Sequence, residues 1–331
     1  MNRVVAVTGA EGFIGSHLVE ALVSDGDRVR AMVQYNSFSS HGWLDALDPG
    51  CREQVEIVMG DVRDRDSVLR LMTGAEVAYH LAALIAIPYS YGAPSSYIET
   101  NVFGTLNVLE AARTLGTQRV VHTSTSEVYG TARRVPINED HPLQGQSPYS
   151  ASKIAADKLV ESYHLSFGLP VVTLRPFNTY GPRQSARAVI STVIAQIAAG
   201  KRTIALGSLT PTRDFNFVLD TAAAFLAVGN ARPEGVIGEV FNAGSGSEIS
   251  VGDLVHLIGE VIGVDLSVIA DEQRVRPPAS EVMRLVCDSS RLQQRTSWRP
   301  RYHLQEGLRL TAKWFSEPGV LRGYKPLVYN V

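Results

Sequence analysis

Short β-branched runs alternate along this chain with longer segments whose apolar residues recur every three or four positions. Six such runs fall in the first 175 residues, at 4–7, 29–33, 55–58, 77–80, 120–123 and 171–174. Most are continuous rather than alternating in polarity, the pattern of strands covered on both faces. Helical periodicity marks segments 13–22, 102–115 and 150–167 between them. Strand and helix in regular alternation predict a doubly wound parallel α/β sheet. Beyond about residue 175 the rhythm breaks at Pro176, Pro182 and Pro211, an apolar helix is expected at 189–199, and short strands and helices mix. We therefore expect a first domain over residues 1–175 and a smaller mixed α/β lobe over 176–331, with part of 213–243 returning to the first domain.

Composition narrows the function classes. The 331 residues suffice for a large core, and 45% apolar with 19% charged residues is ordinary for a globular protein. A formal net charge of −2 leaves no electrostatic footprint for nucleic acid or an anionic membrane. Cys51 and Cys287 show no CxxC or Cys/His spacing, so neither a disulfide framework nor a metal site is expected. The start MNRVVAVTGAEG reaches turn glycines before an apolar region of signal-peptide length builds up. No run approaches the ~18 apolar residues of a membrane span. The expectation is a cytoplasmic protein that acts on something small.

The first run leads into TGAEGFIG, with Gly9, Gly12 and Gly15 spaced three apart before an amphipathic segment. Glycines there permit a tight turn and close approach to a pyrophosphate, while the helix start offers unpaired amide hydrogens. In this strand-turn-helix context the pattern reads as the dinucleotide turn of a Rossmann sheet rather than an empty glycine turn. After the second run an NAD site usually carries an acid and an NADP site a base. Here stand Val33, Gln34, Tyr35 and Asn36, so the sequence leaves the choice open. Asp61 in GDVRD reads either as an adenine contact or as a cap for the following helix, and the small Ala82 and Ala83 would let the backbone approach a cofactor.

The run VVHTSTSEVYG gathers hydroxyls and a carboxylate where a buried strand ends, which is costly unless something satisfies them. Further on, SPYSASK sets Tyr149 and Lys153 four apart, on one face of a helix. A tyrosine acts as a base near neutral pH only with a cation beside it, and Lys153 is the candidate. The alternative is that residues 124–127 only cap and turn the chain, with Tyr149 and Lys153 an ordinary surface pair.

TGAEGFIG, HLAA, STSEVYG, PYSASK and RPFNTYGPR, in this order, resemble the extended short-chain dehydrogenase/reductase family, and within it the nucleotide-sugar 4,6-dehydratases. The resemblance implies catalytic roles for Thr125, Ser126, Glu127, Tyr149 and Lys153. It implies a cofactor, NAD or NADP with NAD favoured, held by Gly9, Gly12, Phe13, Ile14, Gly15, Gln34, Asn36, Asp61, Val62, Leu81, Ala82, Ala83, Tyr149, Lys153 and Pro176. A nucleotide-diphosphate sugar would meet Ser90, Asn178, Arg183, Arg213 and Arg276. The run TRDF, with Arg213, Asp214 and Phe215, and the pair Arg276–Pro277 sit where the family holds its substrate's diphosphate. Thr125, Ser126 and Glu127 match the Thr-Ser-Glu of the GDP-mannose enzymes, whereas epimerases generally lack the acid.

The implied activity is 4,6-dehydration of a UDP- or GDP-hexose. QYNSF and ALIAIPYS are similar to a bacterial subgroup acting on N-acetylglucosamine nucleotides, so UDP-N-acetylglucosamine is the leading substrate. UDP-glucuronate decarboxylases also read STSEVYG but usually carry a Tyr-Asp-Glu-Gly-Lys run where this chain has SPYSASK. A 4-epimerase and a catalytically silent nucleotide-sugar-binding protein complete the alternatives. The resemblance further implies a homodimer through helices 102–115 and 150–167.

Overall fold

The continuous β-branched runs form the centre of the molecule. In the computed structural model, which describes residues 3–326 and 328, β1 (Val4–Thr8), β2 (Arg28–Val33), β3 (Val55–Met59), β4 (Val77–His80), β5 (Arg119–Thr123) and β6 (Val171–Pro176) lie in one parallel sheet. Each coincides with an expected run to within one or two residues. The later strands are β7 (Asn178–Tyr180), β8 (Thr203–Leu206), β9 (Thr212–Arg213), β10 (Phe215–Phe217), β11 (Val240–Ala243), β12 (Ile249–Ser250) and β13 (Ser267–Ala270). The central sheet has seven strands in the order β11-β6-β5-β4-β1-β2-β3. Strand order reverses between β1 and β4, the crevice where a doubly wound sheet takes its ligand. The fold is thus the expected Rossmann-type α/β arrangement.

Its main helices are α1 (Phe13–Ser24), α2 (Arg65–Met72), α3 (Gly104–Leu115), α4 (Pro148–Phe167), α5 (Val189–Ala198), α6 (Val218–Asn230), α7 (Val251–Ile262) and α8 (Leu304–Phe315). The two-residue period of the strands sorts their side chains between two cores. Val5, Val7, Val29, Ala31 and Val33 pack with Leu18 and Leu22 of α1 and Phe225 and Val228 of α6. Ala6, Met32, Ala78 and Val120 face Leu71 of α2, Leu109 of α3 and Val160 of α4. Covering both faces explains why the strands lack polar alternation. Among the described residues no helix is long and apolar enough to cross a membrane.

The sheet does not stop at residue 175. β11 pairs in parallel with β6, setting Val240 beside Thr173 and Ala243 beside Pro176. α6 and Trp298 join the β1–β2 core. The rest of the later chain builds three two-stranded sheets around a core of Ile194, Phe217, Leu254 and Leu308. The expected helix 102–115 begins at Gly104, because Ile98–Phe103 first winds in a wider π-helical turn.

Arg119, at the start of β5, is buried and crosses to α6, where it donates to the carbonyls of Val228, Gly229 and Ala231. It thereby satisfies the open carbonyls of that helix C-terminus. Replacing Arg119 with Met strands those acceptors and should lower unfolding free energy by about 2–3 kcal/mol in urea titrations. A change below about 0.5 kcal/mol, the usual surface effect, would refute this cap.

Candidate active site

The first turn is built for close backbone approach. Gly9 has φ +67°, and a Cβ there would stand 2.7 Å from the Ala82 amide nitrogen. A Cβ on Gly15 would stand 2.0 Å from the Gly9 carbonyl oxygen. Gly12 begins α1 without any side-chain cap. The open amides of Phe13 and Ile14 and the positive end of the helix dipole therefore face the crevice, a donor set that fits a dinucleotide pyrophosphate.

A chain of hydrogen bonds stiffens the crevice wall. Thr8 Oγ1 accepts from the amides of Leu81 and Ala82, both at 3.1 Å. Its hydroxyl hydrogen is then left for His80 Nδ1 at 2.8 Å, and His80 Nε2 lies 3.0 Å from Thr105 Oγ1. Thr105 donates to the Asn101 carbonyl at 2.6 Å. Burial pushes the His80 imidazole well below its ordinary pKa, matching this neutral, singly protonated role. The Asn101 side chain accepts from the Leu84 amide at 2.8 Å and donates to the Leu84 carbonyl and Ser152 Oγ, both at 2.9 Å. One buried amide thus joins the loop after β4 to α4. Sequence reasoning misses Asn101; its only signal is a polar residue in an apolar helical stretch.

Ser147 caps α4 in a reciprocal box with Ser150, and Pro148 occupies the first turn. This presents Tyr149, Lys153 and Asp157 at successive turns on one face. All three are buried, at 7%, 4% and 6% exposure. Lys153 Nζ donates to the Thr123 carbonyl at 2.6 Å. Burial lowers the Lys153 pKa to about 8, opposed by the Asp157 charge. Burial raises the Tyr149 hydroxyl above its ordinary value, while a hydrogen bond from Thr125 opposes the rise and the Glu127 charge adds to it.

Beneath them Asp157 accepts from Ser124 Oγ at 2.8 Å and Arg175 Nη2 at 2.9 Å, with His122 Nε2 at 3.2 Å. Arg175 also donates to the Tyr129 hydroxyl at 2.9 Å, which in turn donates to Asn242 Oδ1 at 2.7 Å on β11. Despite its burial, the Asp157 carboxyl is brought to about 2 by the His122 hydrogen bond and the Arg175 and Lys153 charges. Sequence reasoning misses Asp157 as well, although its position four residues after Lys153 is a visible signal.

After β5, Thr125 caps the turn Ser126–Tyr129 by accepting from the Glu127 amide at 3.2 Å, so capping and approach to Tyr149 coexist. Ser126 is buried and Glu127 half-buried, its charge felt by both Tyr149 and Arg213. Across the crevice Arg213 Nη2 and Arg276 Nη1 share Glu281 Oε1, at 3.1 and 3.5 Å. Arg213 thus faces the Glu127 charge as well as Glu281, and the buried Arg276 Nη1 makes no hydrogen bond among the described residues. Asn178 Nδ2 is likewise buried without a partner among them.

Some expected residues serve other ends. Arg183 is bound by Glu20 at 2.7 Å and donates to Ser16 Oγ, so its guanidinium fastens the later chain to α1 instead of standing free for substrate. Ser90 is fully buried and donates to the Ile87 carbonyl within its own helical turn, whereas neighbouring Tyr91 bonds Ser280 Oγ at 2.6 Å across the crevice. The Asn36 side chain is spent on its own loop, at Ser40, Phe38 and Gln34. Asp61 binds Arg63, and the cap of α2 is Asp64, not Asp61. Val62 packs against Gly104 and offers its carbonyl to Asn107. Pro176 ends β6 beside Ala243.

The family model for GDP-mannose 4,6 dehydratase matches residues 6–311. The chain belongs to that family, among the sugar-nucleotide dehydratases and epimerases of the extended short-chain dehydrogenase/reductases. It is 35% identical to a UDP-glucose 4-epimerase of Mycolicibacterium smegmatis, over 93% of this chain and 97% of that protein. It is 34% identical to a dTDP-glucose 4,6-dehydratase of Streptomyces griseus, over 95% and 94% respectively. Among solved structures, DesIV, the dTDP-glucose 4,6-dehydratase of Streptomyces venezuelae with NAD bound, superposes with a TM-score of 0.85 at 30% identity, over 98% of this chain and 100% of that one.

Asp157 carries a testable pH signature. Its folded pKa of about 2 lies below the ordinary 3.8, so its contribution to stability is complete only above about pH 5 and is lost as pH falls through 3.8 towards 2. Asp157→Asn should be less stable at neutral pH and lose less stability between pH 4 and 2 in urea titrations. An acid slope equal to that of the unaltered protein would show that the carboxylate is not its source.

Proposed function

We propose that this protein is an NDP-sugar 4,6-dehydratase. It takes a UDP- or GDP-hexose, UDP-N-acetylglucosamine foremost, to the 4-keto-6-deoxy sugar nucleotide. The observation that carries the reading is the half-buried Glu127 carboxylate, electrostatically coupled to both Tyr149 and Arg213. Relatives include epimerases and dehydratases alike, and of these two the acid suits dehydration, while the SPYSASK run separates this chain from the decarboxylases, which share STSEVYG. The NAD in the solved relative, together with the glycine cradle, supports a nicotinamide dinucleotide here.

Bound in that crevice, the dinucleotide supplies a hydride acceptor for the sugar's C4 carbon and later a hydride for C6, ending each turnover as it began. The chain's own residues manage the protons. Tyr149 takes the proton of the 4-hydroxyl, with Thr125 hydrogen-bonded to its oxygen and Lys153 contributing positive charge from the next helical turn. The 4-ketone acidifies the C5 hydrogen, which Glu127 removes. Glu127, now protonated and assisted by Ser126, hands that proton to the departing C6 hydroxyl, which leaves as water; once C6 is reduced, the proton that Tyr149 took returns to C5, so the proton count balances. Arg213 and Arg276 bind the diphosphate in place of their shared Glu281, as guanidinium forks do. Asn178, with its unpartnered amide, orients phosphate or sugar.

Incubating the protein with UDP- and GDP-linked glucose, N-acetylglucosamine, mannose and glucuronate separates the alternatives by product mass. Loss of one water supports dehydration, loss of carbon dioxide supports decarboxylation, and an NMR-detected inversion at unchanged mass supports epimerisation. Glu127→Gln should slow water loss by about 10²–10⁴-fold while leaving cofactor affinity unchanged. An unimpaired variant removes Glu127 from the reaction.

A further inference from the structure

We infer that Glu11, in the glycine turn, reads the adenosine ribose of the dinucleotide and makes the site selective for NAD over its 2′-phosphorylated form. The inference rests on the nicotinamide-dinucleotide reading above. In doubly wound sheets the ribose hydroxyls are read by an acid at the carboxyl end of the second strand. That position here holds Gln34, which carries no charge. Glu11 reaches the same place from the turn between Gly9 and Gly12: its Oε1 accepts from the Gln34 amide at 3.1 Å.

The carboxylate is held there and left half-used. Trp43 donates its amide to the Glu11 carbonyl at 3.0 Å, and Gly42, at φ +59°, brings the following loop so close that a Cβ would stand 2.6 Å from that oxygen. Oε2 is buried and makes no hydrogen bond among the described residues. Burial raises the Glu11 carboxyl above its ordinary value, opposed by hydrogen bonds from backbone amides rather than by a cation. A buried acceptor without a donor is costly, and a vicinal ribose hydroxyl supplies the donor it lacks. A 2′-phosphate would instead bring further negative charge against that carboxylate. Arg63, the basic residue after β3, is engaged by Asp61 at 2.7 Å and approaches Glu99 at 3.7 Å.

Calorimetric titration of the protein, stripped of resident nucleotide, with NAD+, NADP+, AMP and 2′-phospho-AMP tests this without turnover. NAD+ should bind at least tenfold tighter than NADP+, and AMP tighter than 2′-phospho-AMP by a similar factor. Glu11→Gln should weaken NAD+ binding severalfold and shrink the NAD+/NADP+ ratio to threefold or less. The inference is overturned if the unaltered protein binds AMP and 2′-phospho-AMP equally, a result that needs no variant to fold. It is equally overturned if folded Glu11→Gln discriminates as well as the unaltered protein. Binding of no dinucleotide at all would instead sink the cofactor reading, and this inference with it.

Discussion

The carboxylate of Asp157 holds the crevice together. It lies beneath the carboxyl ends of β5 and β6 and balances Arg175 directly and Lys153 through space. Without it two cations would share a dry site, an arrangement whose disruption typically costs about 3–5 kcal/mol. Through Arg175 the same acid reaches Tyr129, which belongs to the turn that carries Glu127. Through Tyr129 it reaches Asn242, which also holds the Ile137 carbonyl. One buried charge thus sets the relative positions of the tyrosine helix, the acid-bearing turn and the edge strand.

Above this anchor the groups proposed for chemistry are buried, with the Glu127 and Asp157 charges acting on Tyr149 and the Asp157 charge acting on Lys153. Burial drives the Tyr149 hydroxyl towards its neutral form and brings the Lys153 ammonium to about 8. A phenolate and an ammonium that are each disfavoured alone favour one another when charged together, which is what a tyrosine base requires. A neighbouring network, joined to the tyrosine helix through Asn101 and Ser152, consists of neutral hydrogen bonds from Thr8 through His80 and Thr105 to Asn101.

Much of the arrangement is legible along the chain because it obeys short-range rules. Continuous Val-rich runs become buried parallel strands, and Gly9 and Gly15 stand where any Cβ would strike backbone. Tyr149 and Lys153 share a helix face because the α-helical repeat puts them there. Departures arise where a side chain's partner is hidden from the linear pattern. Arg183 has the chemistry of a substrate ligand, yet Glu20, 163 residues away, claims it. Ser90, expected beside the sugar, is sealed under its own helical turn.

By itself the sequence determined the strand succession, the turn that receives a helix dipole, and the residue types available for proton transfer, since each follows from local geometry. The return of part of 213–243 is also expected from the sequence, but tertiary structure alone decided that β11 pairs with β6, that Asn101 joins a loop to the tyrosine helix, and that Glu11 leans onto the end of the second strand. Those outcomes depend on desolvation and on which buried polar groups find partners. Such partnerships are written in distances across the fold, where neither periodicity nor spacing reaches.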